Sequence, residues 1–94
     1  MTKSELIENL THSRQISRRT AEEVVNVVFD AMRDALLRDE RIEIRGFGSF
    51  QVRSYKSYVG RNPKTGQQIV VPMKRLPVFK TSRLLTRRVN KGLE

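Results

Sequence analysis

Apolar residues change their spacing twice along this chain, dividing it into helix, strand and helix again. Leu6, Ile7 and Leu10 recur at helical spacing behind Thr2-Lys3-Ser4-Glu5, which has the form of a capping box. A short helix running to about His12 is predicted. Ser17 offers a second N-cap. From Arg18 to Arg38, the residues Ala21, Val24, Val25, Val28, Phe29, Met32, Leu36 and Leu37 fall on one broad stripe, which predicts a long amphipathic helix. Residues 1–40 therefore read as a helical hairpin. The stripe is wide for a helix with one short neighbour, so covering it calls for another subunit.

At Arg41 the period becomes two. Ile42 and Ile44 alternate with charge, Gly46-Phe47-Gly48 supplies a turn, and Ser49 to Arg53 resumes the alternation. Body strands are expected over 41–53 and 74–80, with Leu76-Pro77-Val78-Phe79 at the centre of the second. Between them, 54–73 reads as a β-hairpin arm with too little apolar surface to pack on the body. Asn62-Pro63-Lys64-Thr65-Gly66 forms its turn, because proline presets φ and glycine permits positive φ. Thr81 or Ser82 caps a last helix within 81–94, with Leu84, Leu85 and Val89 facing inward and Arg83, Arg87 and Arg88 facing out. The fold class is α+β, in one domain.

With 94 residues the chain buries a poor fraction of its surface, and without cysteine it has no disulfide to compensate. Oligomerisation is the remaining source of buried area. No apolar run is long enough to span a bilayer, and the N-terminus has no apolar signal core, so the sequence reads as soluble and cytoplasmic.

Charge sharpens the picture. The net charge is +9, but residues 1–40 carry −2 and residues 41–94 carry +11. The second part is suited to a polyanion. Arg53, Lys56, Arg61, Lys64, Lys74 and Arg75 mark the arm, and a cationic ribbon suits a phosphate-lined groove. Pro63 lies at the tip, where a rigid ring has the properties of a wedge for unstacking a base step. Tyr55 and Tyr58 are read as packing across the ribbon in preference to stacking on bases. Phe29, Phe47, Phe50 and Phe79 are read as core, with Phe47 buried against a facing subunit. Arg14, Arg18 and Arg19 have acids nearby and are read as a neutralised surface.

Arg45-Gly46-Phe47-Gly48-Ser49-Phe50, Gly60-Arg61-Asn62-Pro63-Lys64-Thr65-Gly66 and Pro77-Val78-Phe79-Lys80 together resemble the bacterial HU and integration host factor family. The likeness runs nearly end to end. Met1 to Glu8 and Arg41 to Arg45 look more like the integration host factor beta branch than HU. The resemblance implies an intertwined dimer, of one chain or of two related ones, with a helical base, a small antiparallel sheet and two protruding β-ribbon arms. It implies that double-stranded DNA is embraced through the minor groove in the bacterial cytoplasm and nucleoid. Pro63 would intercalate, Lys3, Lys80 and Arg83 would touch flanking phosphates, and Glu43 and Arg45 would help select sequence. Asn62 and Arg87 complete the DNA-binding set expected. Where the family commonly has proline and glycine after the Phe-Lys pair, this chain has Thr81-Ser82.

Other classes fit poorly. One histidine, His12, and no cysteine leave no means for a Cys–His pair or a multi-histidine metal site, so no enzyme, metal or cofactor is expected. His12 reads as a surface or capping residue. Gly60 to Gly66 lacks the Gly-Lys-Ser/Thr of a nucleotide-binding loop. A single-strand or RNA binder would share the basic arm but has no use for a wedge. A membrane-surface protein would need a long cationic amphipathic helix that is absent.

Overall fold

Thr2 and Ser17 begin the two helices of the hairpin. The computed structural model describes residues 1–93; Glu94, the last residue of the expected C-terminal segment, lies outside the described residues. Helix α1 spans Lys3–Arg14, with the Thr2 hydroxyl accepting the Glu5 N–H at 3.1 Å. It runs one half-turn beyond His12 and stops where Gln15 takes a left-handed φ of 52°. Helix α2 spans Arg18–Leu37, and the Ser17 hydroxyl accepts the Thr20 N–H at 3.1 Å. Arg18 of α2 reaches back to Glu8 and Ser4 of α1, clasping the hairpin across its solvent side.

The buried apolar core is small. Ile7, Ala21 and Val25 form it, with Leu6, Leu10 and Ile16 packed around them. Much of the rest of the α2 stripe is open within the chain: Val28, Phe29 and Leu37 are 50, 46 and 73% exposed, while Met32 and Leu36 are partly covered. Phe29, Met32, Leu36 and Leu37 instead face Phe50, Val52 and Pro77 of the sheet across an open apolar cleft of about 570 Å³.

Strand β1 (Ile42–Ile44) turns through Arg45–Phe47 into β2 (Gly48–Tyr55). Strands β3 (Tyr58–Arg61) and β4 (Gln68–Val71) follow, and β5 (Lys74–Thr81) returns to the body. β1, β2 and β5 form one antiparallel sheet in that order, while β3 and β4 pair with each other only. The Tyr55↔Lys74 pairing of the body and the Tyr58↔Val71 pairing of the arm belong to one unbroken register. β5 is longer than the expected Leu76–Phe79 core and contains Pro77. As an edge strand paired only with β2, it has a side on which a missing N–H leaves no ladder bond unmade.

Phe79 packs between Phe50 and Phe47, with ring centroids 4.8 and 5.4 Å away. Phe47 therefore meets an aromatic of its own chain, although it is still 45% exposed. Helix α3 spans Arg83–Val89 and is capped by Ser82, whose hydroxyl accepts the Leu85 N–H at 3.1 Å. Within the single chain its expected inward face is left largely open. Leu84 and Val89 are 53 and 71% exposed and Leu85 is partly covered, so the chain alone does not close this face.

Candidate nucleic-acid interface

Pleating sorts the residues of β2 and β5 onto two faces. One face looks at α2 and carries Phe50, Val52, Arg75 and Pro77. The opposite face carries Gln51, Arg53 and Tyr55 of β2, paired in register with Val78, Leu76 and Lys74 of β5, and then Lys80 beside Ser49. Arg53, Lys74 and Lys80 are thus gathered on one outward surface. Arg75 is sent the other way, where it forms an ion pair of 3.0 Å with Asp39.

A polar cleft of about 290 Å³ continues this surface towards α3, lined by Arg41, Glu43, Arg45, Ser49, Lys80 and Ser82. Ser49 is buried at the base of the sheet, and Arg41 donates to its hydroxyl at 3.5 Å while lying 3.8 Å from Glu43. Arg45, on the turn, and Lys80, at the end of β5, meet no acid among the described residues.

The arm tip is a built turn. The Oδ1 of Asn62 accepts the Lys64 N–H at 2.9 Å, the Asn62 carbonyl accepts the Gly66 N–H at 2.7 Å, and the Asn62 N–H donates to the Gln67 carbonyl at 2.9 Å. Gly66 closes the turn at φ 71°, a region that glycine enters without the usual steric cost. Pro63 projects into solvent between Arg61 and Lys64, all three exposed. Asn62 thus shapes the tip through its amide oxygen. Behind the tip, Tyr58 lies 3.6 Å from the position a Cβ would occupy on Gly60, so its ring covers the ribbon backbone. This contact lies within β3, since the cross-strand partner of Tyr58 is Val71.

The cations differ in how far they are committed. Arg18 pairs with Glu8, Arg19 with Glu23, and Arg33 with Asp30 and Asp34. Arg38 bonds Glu40 at 3.0 Å, which holds that carboxyl below its ordinary range and the guanidinium above its own. These pairs neutralise the helical base. Arg14, expected to share in this, has no acid paired with it among the described residues. By contrast Lys3, Arg45, Arg53, Lys56, Arg61, Lys64, Lys74, Lys80, Arg83 and Arg87 are exposed and have no acidic partner among the described residues. Lys3 opens α1 and Arg87 closes α3, so neither shares the sheet surface. Arg41 and Gln51, not singled out in the sequence, also lie on this surface. The parity of Gln51 with Arg53 was the signal that could have found it.

Three comparisons bear on this surface. A family model described as bacterial DNA-binding protein matches residues 1–90. The integration host factor beta subunit of Ralstonia nicotianae is 50% identical over 95 aligned positions, spanning 100% of this chain and 69% of the relative. An integration host factor alpha subunit, from Anaeromyxobacter dehalogenans, is 42% identical over 99% of this chain and 82% of its own length. Among solved structures, Anabaena HU in a cocrystal with DNA superposes with a TM-score of 0.85 at 28% identity, covering 98% of this chain and 100% of that one. The chain belongs to the bacterial DNA-binding protein family of HU and integration host factor, and is a DNA-binding architectural protein, not an enzyme.

Proposed function

We propose that two copies of this chain, or this chain and a related subunit, bend duplex DNA by laying their arms in its minor groove and inserting Pro63 into a base step. The observation that carries this reading is the tip itself. A solvent-exposed proline ring stands on a hydrogen-bonded turn, beside Arg61 and Lys64, which have no acidic partner among the described residues. Opening a base step costs a few kcal/mol, and the additional protein surface that a bent duplex wraps offsets that cost. Arg53, Lys74 and Lys80 on the outward sheet face, and Arg45 in the cleft, are placed to meet the flanking phosphates.

Dimerisation follows from the uncovered surface. With only three apolar side chains buried among the described residues, an apolar cleft is left between α2 and the sheet, and a second subunit is the natural filling. The relatives named as alpha and beta subunits favour a pairing of like or related chains. The place of action is the nucleoid in the bacterial cytoplasm.

Fluorescence transfer between the ends of a labelled duplex tests the wedge. Pro63→Ala should leave the far-ultraviolet spectrum and thermal midpoint unchanged while the ends move apart. An unaltered transfer efficiency at saturating protein would refute intercalation. The same labelled duplex competed by single strands and by duplex RNA tests the choice of nucleic acid, and preference for unstructured RNA would defeat the reading.

A further inference from the structure

Helix α2 ends in an unusual way. The Glu40 N–H donates to the Ala35 carbonyl at 2.9 Å and the Asp39 N–H to the Leu36 carbonyl at 3.0 Å. These are the two bonds of a Schellman motif, in which the residue at the left-handed position is usually glycine. Here it is Asp39, at φ 63°. An aspartate is penalised twice at this place. The left-handed region costs any side chain more than it costs glycine, though aspartate and asparagine bear it better than most, and a carboxylate disfavours the negative end of a helix. Glycine would end the helix with neither penalty. What the carboxylate does gain is Arg75, whose guanidinium lies 3.0 Å away.

Arg75 occupies a particular station. It lies opposite Ser54 in the β2–β5 ladder, one residue from the end of the body sheet and immediately below the arm. Its neighbour Lys74 points to the outward face with Arg53, whereas Arg75 lines the cleft against α2. We infer that Arg75 is not a phosphate ligand but a positioning residue, which ties the root of the arm to the end of α2 through Asp39 and so sets how the arm meets the duplex. The left-handed backbone aims the carboxylate, the pleat aims the guanidinium, and the pair fixes strand to helix at the hinge of the arm. This rests on the arm being the element that contacts DNA.

Titrating a random-sequence duplex at several salt concentrations separates the roles. The proteins compared are the wild-type chain and the Arg75→Gln, Asp39→Asn and doubly substituted variants. Asparagine tolerates the left-handed region, so Asp39→Asn removes charge while keeping the turn. A half-exposed ion pair supports an effect of roughly two- to five-fold on affinity. Arg75→Gln and Asp39→Asn should each weaken binding by that factor, the double variant should be no worse than either, and the salt slope should stay at its wild-type value. Asp39→Gly adds a readout that a merely structural role would not move in this way, for binding should weaken while the thermal midpoint does not fall.

Three results would overturn the inference: a flatter slope in Arg75→Gln, tighter binding in Asp39→Asn because a cation has been freed, or unchanged affinity in both. A variant with Arg61→Gln and Lys64→Gln runs alongside. If its slope matches wild type, the arm reading itself fails, and that failure is separate from any result at Arg75.

Discussion

Phe79 lies so close over Gly48 that a Cβ built on this glycine would stand 2.6 Å from its ring and would also collide with the carbonyl of Lys80. The close approach is what lets β2 and β5 pair while Phe79 sits between Phe47 and Phe50. Gly48→Ala should therefore cost about 2 kcal/mol or more, as overpacking against backbone does. For a domain of this size that lowers the thermal midpoint by roughly 10 °C. Calorimetry at a fixed protein concentration measures it, and a midpoint within experimental error of wild type would show that the sheet adapts without cost.

Much of this architecture was legible in the sequence. The caps at Thr2 and Ser17, the α2 stripe and the alternation after Arg41 each rest on local chemistry, and each element lies close to where that chemistry put it. Two things were not legible, and both depend on long-range geometry. The side of the sheet on which a cation lies is set by register, so the sequence groups Arg75 with its neighbours although the pleat turns it towards α2. The inward face of α3 is inferred from apolar spacing, but spacing cannot say whether the chain itself supplies a surface to cover Leu84 and Val89.

The salt dependence of binding should locate the contact surface. Each phosphate neutralised steepens the fall of log affinity with log salt by about 0.9. Arg61 and Lys64 flank the tip without acidic partners among the described residues, so no internal bond competes for them. Their joint replacement by glutamine should flatten the slope by about 1.8 per arm if both meet phosphate. Arg19→Gln serves as the control. Its guanidinium is 3.6 Å from Glu23 on the helical base, and the slope should not respond to its loss.

Charge placed in the apolar cleft should act on assembly before it acts on DNA. Phe29 is 46% exposed in the single chain and faces Phe50 and Pro77 across the opening. Filling the cleft with a second subunit would bury a glutamate at this position without a partner, at a cost of several kcal/mol. Phe29→Glu should shift the chain to monomer in sedimentation equilibrium at concentrations where wild type is dimeric. Its thermal midpoint should fall as well, because folding is coupled to association. A variant that stays dimeric would place the subunit interface elsewhere.

Ser82 allows stability and binding to be pulled apart. Its hydroxyl accepts the Leu85 N–H at 3.1 Å to start α3, and the same residue lines the polar cleft with Arg45 and Lys80. Removing the cap in Ser82→Ala should cost about 1 kcal/mol of stability. Aspartate caps a helix as well as serine does, so Ser82→Asp should keep the midpoint at or near that of wild type. It also sets a negative charge among cations that the proposed function assigns to phosphate, and DNA affinity should fall in that variant, more at low salt than at high salt. If Ser82→Asp bound DNA as tightly as wild type at low ionic strength, the cleft would not lie on the path of the duplex. The contact would then be confined to the arm and the outward face of the sheet.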